Sequence, residues 1–271
     1  MRVFTNQVVA FFRSNFPEIS LDSLSEKLCS SEGRKFAQQH AQMYPLGGLH
    51  VSLRSRYFLE SVLKRKNKNH DAYISIGSGL SLLSYQLAEK IGSQWKYFDS
   101  DLPDIIIERV SAISTIADQL PIGQELITTT ALNIEDAAKA NNSLTDFFPC
   151  SCPIVVMEGV SYYVSPESVK WLASELSKLS GSILIMDYWP HYTKESSVFQ
   201  KITNSIDQDS KESVHTFFDQ NEIPKVLSPL RILDDVEIRD IERTIAKTER
   251  MADLSQILAA RYVTAEASSL G

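Results

Sequence analysis

Ile74-Ser75-Ile76-Gly77-Ser78-Gly79-Leu80, answered by Asp99-Ser100-Asp101-Leu102-Pro103-Asp104, decides how this chain is read. A short apolar run ends in a Gly-x-Gly turn and opens into a helical pattern. Leu80, Leu83, Leu87 and Ile91 fall on one face of that pattern. The acidic cluster stands at the end of the next strand-like run. In a βαβ unit, glycines at such a turn let backbone approach a ligand where a side chain would collide. A carboxylate across the gap can take the two hydroxyls of a ribose. The pair predicts a site for a nucleoside-containing cofactor, although a tight strand-to-helix turn needs glycine for structural reasons as well.

A full dinucleotide fingerprint needs a third glycine at position 82, where the chain has Leu82. Its absence weakens the NAD or FAD reading and favours a ligand without a diphosphate, such as S-adenosylmethionine. Working outward, strand-like runs near 72–76, 95–98, 126–130, 153–157 and 181–187 alternate with amphipathic stretches. In one stretch Val169, Leu172, Leu176 and Leu179 share a face, Ser165-Pro166 supplies an N-cap with proline at the first helical position, and Gly181 marks the end. The alternation predicts an α/β fold with a parallel sheet and helices on both faces. A late apolar run over 257–263 is read as a closing edge strand.

The first 70 residues are helical in tone, broken at Pro45-Leu46-Gly47-Gly48, and are read as an N-terminal helical cap on a core spanning 71–271. From Pro190 to about residue 225 the strand rhythm stops, and this stretch is read as a helical lid insertion. In open α/β sheets the ligand lies beyond the carboxyl ends of the strands. The informative residues are therefore Gly77 to Gly79, Asp99 to Asp101, Ala131 to Asn133, Glu158 to Tyr163 and Asp187 to His191. Glu158 directly follows a buried apolar run, where an acid is costly unless it is paired, hydrogen-bonded or solvated.

Composition narrows the classes. The chain has 271 residues, 43% hydrophobic and 23% charged, as in a soluble globular protein. A net charge of −7 argues against neutralising phosphates, so no nucleic-acid partner is expected. Nothing approaches the roughly 18 apolar residues of a membrane span. Met1-Arg2-Val3-Phe4 does not begin a signal-peptide pattern, so a cytoplasmic location without membrane contact is expected. Cys150 and Cys152 form a C-x-C without a second ligand pair, and His40, His50, His70 and His215 show no metal or triad spacing, so no metal is expected.

Four blocks together carry a resemblance to the leucine carboxyl methyltransferase family, over roughly residues 50 to 190. They are Arg54-Ser55-Arg56-Tyr57-Phe58, Ile76-Gly77-Ser78-Gly79-Leu80, Tyr97-Phe98-Asp99-Ser100-Asp101-Leu102-Pro103 and Glu158-Gly159-Val160-Ser161-Tyr162-Tyr163-Val164. The resemblance implies a Rossmann-like class I methyltransferase with a mainly parallel seven-stranded sheet flanked by helices, using S-adenosylmethionine. It implies cofactor contacts at Arg54, Gly77, Ser78, Gly79, Asp101, Leu132, Asn133 and Glu158, with Arg54 on the methionine carboxylate and Asp101 on the ribose. Acceptor contacts are expected from Tyr162, Tyr163, Tyr188 and His191, with Tyr163 and His191 as substrate-orienting candidates. Where the family continues its glycine turn with Asp-Thr-Arg, this chain has Ser81-Leu82-Leu83, and its usual acid after the third strand is Ala131.

The implied reaction is in-line methyl transfer to a carboxylate of a small metabolite or peptide. Such a nucleophile is ionised at neutral pH and needs no base, whereas a phenol acceptor would make His191 the first candidate base. An NAD-dependent oxidoreductase and a catalytically inactive cofactor-binding relative are the alternatives. Plainer roles compete residue by residue. Asp101 fits a helix N-cap, Asp99 is the alternative ribose ligand, Glu158 fits a structural partner of an arginine, and Arg54 and Arg56 fit a solvated helix face.

Overall fold

The computed structural model describes residues 5–209 and 214–268; positions 210–213 of the expected lid lie outside them. Four helices precede the first strand: α1 (Thr5–Arg13), α2 (Pro17–Ser20), α3 (Ser31–Met43) and α4 (Gly47–Arg65). Then follow β1 (Ala72–Ile76), α5 (Leu83–Ile91), β2 (Lys96–Asp101), α6 (Pro103–Ser114), β3 (Ile127–Ala131), α7 (Ile134–Ala140) and α8 (Leu144–Phe147). The second half runs β4 (Pro153–Met157), α9 (Pro166–Ser177), β5 (Ile183–Tyr188), α10 (Ser197–Asp209), α11 (Ile223–Val226), β6 (Arg231–Glu237), α12 (Ile238–Ile245) and β7 (Arg261–Glu266).

Local chemistry sets several boundaries. The Ser30 hydroxyl accepts from the Gly33 amide at 3.0 Å to open α3, and Ser165 does the same for Ser168 at 3.3 Å, with Pro166 starting α9. The helix expected to run to Gly181 stops at Ser177, and Gly181 sits in the following loop at φ +77°.

The seven strands form one sheet in the order β3-β2-β1-β4-β5-β7-β6. All pairs from β3 to β5 are parallel, while β7 runs antiparallel to both β5 and β6. Two strand readings are corrected. The late strand is β7, which begins at Arg261 and lies inside the sheet between β5 and β6. The edge is instead β6, which the sequence did not betray. Its Arg231, Asp234, Asp235 and Glu237 break the apolar signal, as charged residues on an edge strand commonly do.

Apolar packing covers both faces. Leu53, Phe58 and Val62 of α4 and Leu83 and Leu87 of α5 meet Tyr73, Val156, Ile185 and Tyr262 on one side. Val169, Leu172 and Leu176 of α9 meet Ile74, Val155, Leu184 and Val263 on the other. With both faces buried, β1, β4 and β5 read as continuous apolar runs rather than as alternating ones. Strand order reverses between β1 and β4, which opens a crevice at their carboxyl ends. Among the described residues, no helix is long and apolar enough to cross a membrane.

One buried polar chain ties α4 to the sheet. His50 Nδ1 lies 2.7 Å from the Tyr44 hydroxyl, and its Nε2 lies 3.4 Å from the Tyr262 hydroxyl. Burial, reinforced by the nearby Arg54 charge, pushes the imidazole down to about 3. The unfolded imidazole titrates near 6.5, so the unfolded state binds this proton first. His50 therefore withdraws stability as pH falls from the unfolded value toward the folded one. The expected slope from this group approaches about 1.4 kcal/mol per pH unit. Denaturant unfolding of the wild type and His50→Gln across this window should show the variant losing that part of the slope.

Candidate functional site

The crevice deepens into a cleft of about 420 Å³, within the range of roughly 300–1,000 Å³ usual for small-molecule sites. Its floor is the turn after β1. Gly77 has φ +70° and Gly79 has φ +48°, a region that side chains other than glycine rarely adopt. The Gly79 amide donates to Asp101 Oδ2 at 2.7 Å, and the Leu102 amide donates to Asp101 Oδ1 at 2.8 Å. The Asp101 carbonyl in turn accepts from the Leu132 amide at 2.8 Å. The carboxyl ends of β1, β2 and β3 are thus stitched together through one residue, Asp101. Burial pushes the Asp101 carboxyl above its ordinary range, opposed by the two amides and by the Arg109 charge.

Asp99, the alternative ribose ligand, faces away from the cleft. It is buried and takes hydrogen bonds from Ser84 Oγ at 2.7 Å and from the Arg109 guanidinium. Of the two acids on β2, only Asp101 lines the cleft.

A second charged group closes the other end. Glu158 Oε1 accepts from Arg13 Nη2 at 2.9 Å, Arg54 Nε at 3.1 Å and Ser55 Oγ at 3.3 Å. Burial pushes the Glu158 carboxyl up, but the two guanidinium groups outweigh it and hold the group below its ordinary range. Arg54 Nη1 also reaches the Tyr162 hydroxyl at 3.4 Å and lies 3.7 Å from Asp187 Oδ2. The Asp187 carboxyl is pushed up to about 6 by burial, with Arg54 and the Gly159 amide pulling against it. Among the described residues, Glu158 Oε2, Arg13 Nη1 and Arg54 Nη2 carry no hydrogen bond, and all three residues line the cleft.

The remaining walls are loops. Asn133 caps α7 by accepting from the Glu135 amide at 3.0 Å, and Glu135 takes the amide of Ser165, tying the loop after β3 to the loop after β4. Tyr162 stacks on Trp189 with ring centroids 3.9 Å apart. The His215 and Thr216 amides both donate to the Tyr162 carbonyl, at 3.1 and 3.2 Å, which brings His215 to the cleft.

Arg54, Gly77, Ser78, Gly79, Asp101, Leu132, Asn133, Glu158, Tyr162 and Tyr163 therefore line one cavity. Tyr188 and His191 do not. Tyr188 is buried on the α9 face of the sheet, its hydroxyl donating to Asp235 Oδ2 at 2.9 Å, because a strand's side chains alternate between faces. His191 is exposed and lies 3.8 Å from Glu222, clear of the cleft. Sequence reasoning missed Asn6 and Arg13 of α1 and His215. None has a local motif, and each reaches the site through long-range packing.

Fold and site together define the class I S-adenosylmethionine-dependent methyltransferases. The chain belongs to the leucine carboxyl methyltransferase family, whose profile matches residues 9–177, and its cofactor is accordingly S-adenosylmethionine. A DUF574 family protein from Streptomyces avermitilis is similar with TM-score 0.68 and 11% identity, covering 97% of each chain. Magnesium protoporphyrin IX methyltransferase from Synechocystis, solved with bound S-adenosylhomocysteine, is similar with TM-score 0.51 and 15% identity, covering 95% of this chain and 99% of that one. At these identities the likeness is one of fold. Comparison with curated proteins gives no significant sequence match.

The two glycines differ in what surrounds them. A Cβ on Gly77 would come within 2.2 Å of Val160 Cγ2, whereas one on Gly79 meets only Asn6 Cβ, at 3.5 Å. Gly79→Ala should therefore cost mainly left-handed strain, about 1–2 kcal/mol. Gly77→Ala adds overpacking of about 1–3 kcal/mol. Thermal unfolding and S-adenosylhomocysteine titration of both variants should rank Gly77→Ala as the more damaged.

Proposed function

We propose that the protein is an S-adenosylmethionine-dependent O-methyltransferase that esterifies a carboxylate of a small metabolite or peptide. The observation that carries this reading is the pattern of unspent bonding capacity in the cleft. One carboxylate oxygen on Glu158 and two guanidinium nitrogens, unpartnered among the described residues, match the ammonium and carboxylate of a methionine moiety. Ser78 Oγ is buried without a partner among the described residues, a further polar atom left open in the glycine cradle. Asp101, held by two amides, keeps lone pairs for a ribose. These residues fit the cofactor.

When bound, the cofactor supplies a methyl group activated on a positively charged sulfur. In this reading the chain's own residues bind, orient and exclude water. Asp101 and the Gly77 and Gly79 backbone hold the nucleoside, and Leu132 and Asn133 frame its base. Arg54 and Arg13 meet carboxylate charge, with Glu158 paired to both and Asp187 lying 3.7 Å from Arg54. A carboxylate acceptor suits such a surface, because it arrives ionised and asks for no base. Within the 1–70 segment, α1 to α4 serve as the helical cap, with α1 supplying Asn6, Val9 and Arg13 to the cleft. The 190–225 segment serves as the acceptor-side lid, supplying His215.

A hydroxyl acceptor is the second reading, favoured by His215 at the cleft, where His191 was expected. Family membership lends no support to the oxidoreductase alternative. The test is transfer from methyl-labelled S-adenosylmethionine to a panel of small carboxylic acids and short peptides. The expected product is a methyl ester, which releases its label as methanol in alkali. A base-stable product would replace the carboxylate assignment with an ether or an amine, and a folded protein that binds cofactor but labels nothing would support the inactive relative.

A further inference from the structure

Arg109 lies on α6, and its side chain is fully buried beneath the glycine turn. Its Nη1 donates to the Gly79 carbonyl at 2.9 Å, and its Nη2 pairs with Asp99, which Ser84 also holds. Its Nε is buried without a partner among the described residues, so the fork is fixed by those two contacts. The Gly79 residue is therefore gripped on both sides. Its amide is bound to Asp101, and its carbonyl is bound to Arg109.

A buried ion pair adds little net stability over an apolar pair of similar shape. The Arg109–Asp99 pair is better explained by where it puts the Gly79 carbonyl and a positive charge. The turn's own continuation, Ser81-Leu82-Leu83, offers no charge at all. We propose that Arg109 is a positioning residue of the ribose subsite, reaching in from α6 to fix the Gly79 peptide against Asp101 and to supply the charge that the glycine turn lacks. This rests on the reading of the cleft as the S-adenosylmethionine site.

The groups facing Asp101 are the Gly79 amide from the β1 turn and, from α6 and its start, the Leu102 amide, Asp104 and Arg109. Arg109 and the amides favour the ionised carboxylate, while burial and Asp104 oppose it. An ionised Asp101 accepts hydrogen bonds at both oxygens, and a protonated one turns one of them into a donor and loses acceptor capacity there. Cofactor binding is therefore full above the Asp101 pKa and falls as pH drops through it. Removing the Arg109 charge raises that pKa, so the acid limb of binding moves to higher pH.

The test is calorimetric titration with S-adenosylhomocysteine from neutral pH down through the carboxylate range, with thermal unfolding recorded on the same proteins. In Arg109→Gln the dissociation constant is expected to rise about tenfold or more, with the acid limb displaced upward. Arg109→Lys keeps the charge but cannot bridge Asp99 and Gly79 in one planar fork. It should restore the acid limb while binding several-fold more weakly than wild type. If Arg109→Gln does not fold, the Lys variant carries the test. Weaker binding at an unchanged melting temperature supports the positioning role, and unchanged affinity with a lowered melting temperature overturns it. Failure of the wild type itself to bind S-adenosylhomocysteine would overturn the cofactor reading beneath the proposal.

Discussion

The Asp101 carboxylate, accepting the Gly79 amide at 2.7 Å, is the contact on which the site's geometry depends. It joins the end of β2 to the turn after β1, across the boundary where ligands enter a doubly wound sheet. Placing it there is costly, because the carboxylate is half-buried and partly withdrawn from water. The surrounding structure offsets this with two amides, a buried guanidinium and the N-terminal start of α6. The two amides belong to cleft-lining residues, Gly79 and Leu102, while Arg109 supports them from beneath. The same hydrogen bonds that make the acid tolerable make the cleft.

Glu158 repeats that logic at the other end with opposite weighting. Three donors converge on one of its oxygens, and two of them are guanidinium groups from helices that precede the sheet. The helices α1 and α4 are thereby fixed to the end of β4 by charge as well as by apolar packing. Arg54 extends the network to Tyr162 and Asp187, so the loop after β4 and the carboxyl end of β5 are registered against the same cation. In the proposed reading, one charged centre holds the nucleoside part of the cofactor and the other its amino-acid part.

Much of this was legible in the sequence because the relevant signals are local. Gly77 and Gly79 sit beside the apolar run they terminate, Asp101 ends β2 and Glu158 directly follows β4. Such positions inherit their place from the sheet. Arg13 and His215 were not legible, since each reaches the cleft from a segment without strand rhythm. Tyr188 and His191 lie apart from the cleft for a related reason. Proximity to a strand end did not settle which face Tyr188 occupies or where the following loop carries His191. The edge strand β6 was hidden because its charges mask an apolar pattern that solvent exposure never required. The uncharged Ser81-Leu82-Leu83 continuation looked like a weakened site in one dimension, but in three dimensions Arg109 stands beneath the same turn.

The central claim is that the Gly79–Asp101 pair and the Arg13–Glu158–Arg54 group bind one ligand between them. A crystal structure with S-adenosylhomocysteine at saturating concentration tests this most directly. The account predicts the ribose hydroxyls on the Asp101 carboxylate, with the amino-acid end of the ligand against Glu158, Arg54 and Arg13. Ligand density elsewhere, or a cleft that stays empty at saturation, would contradict it.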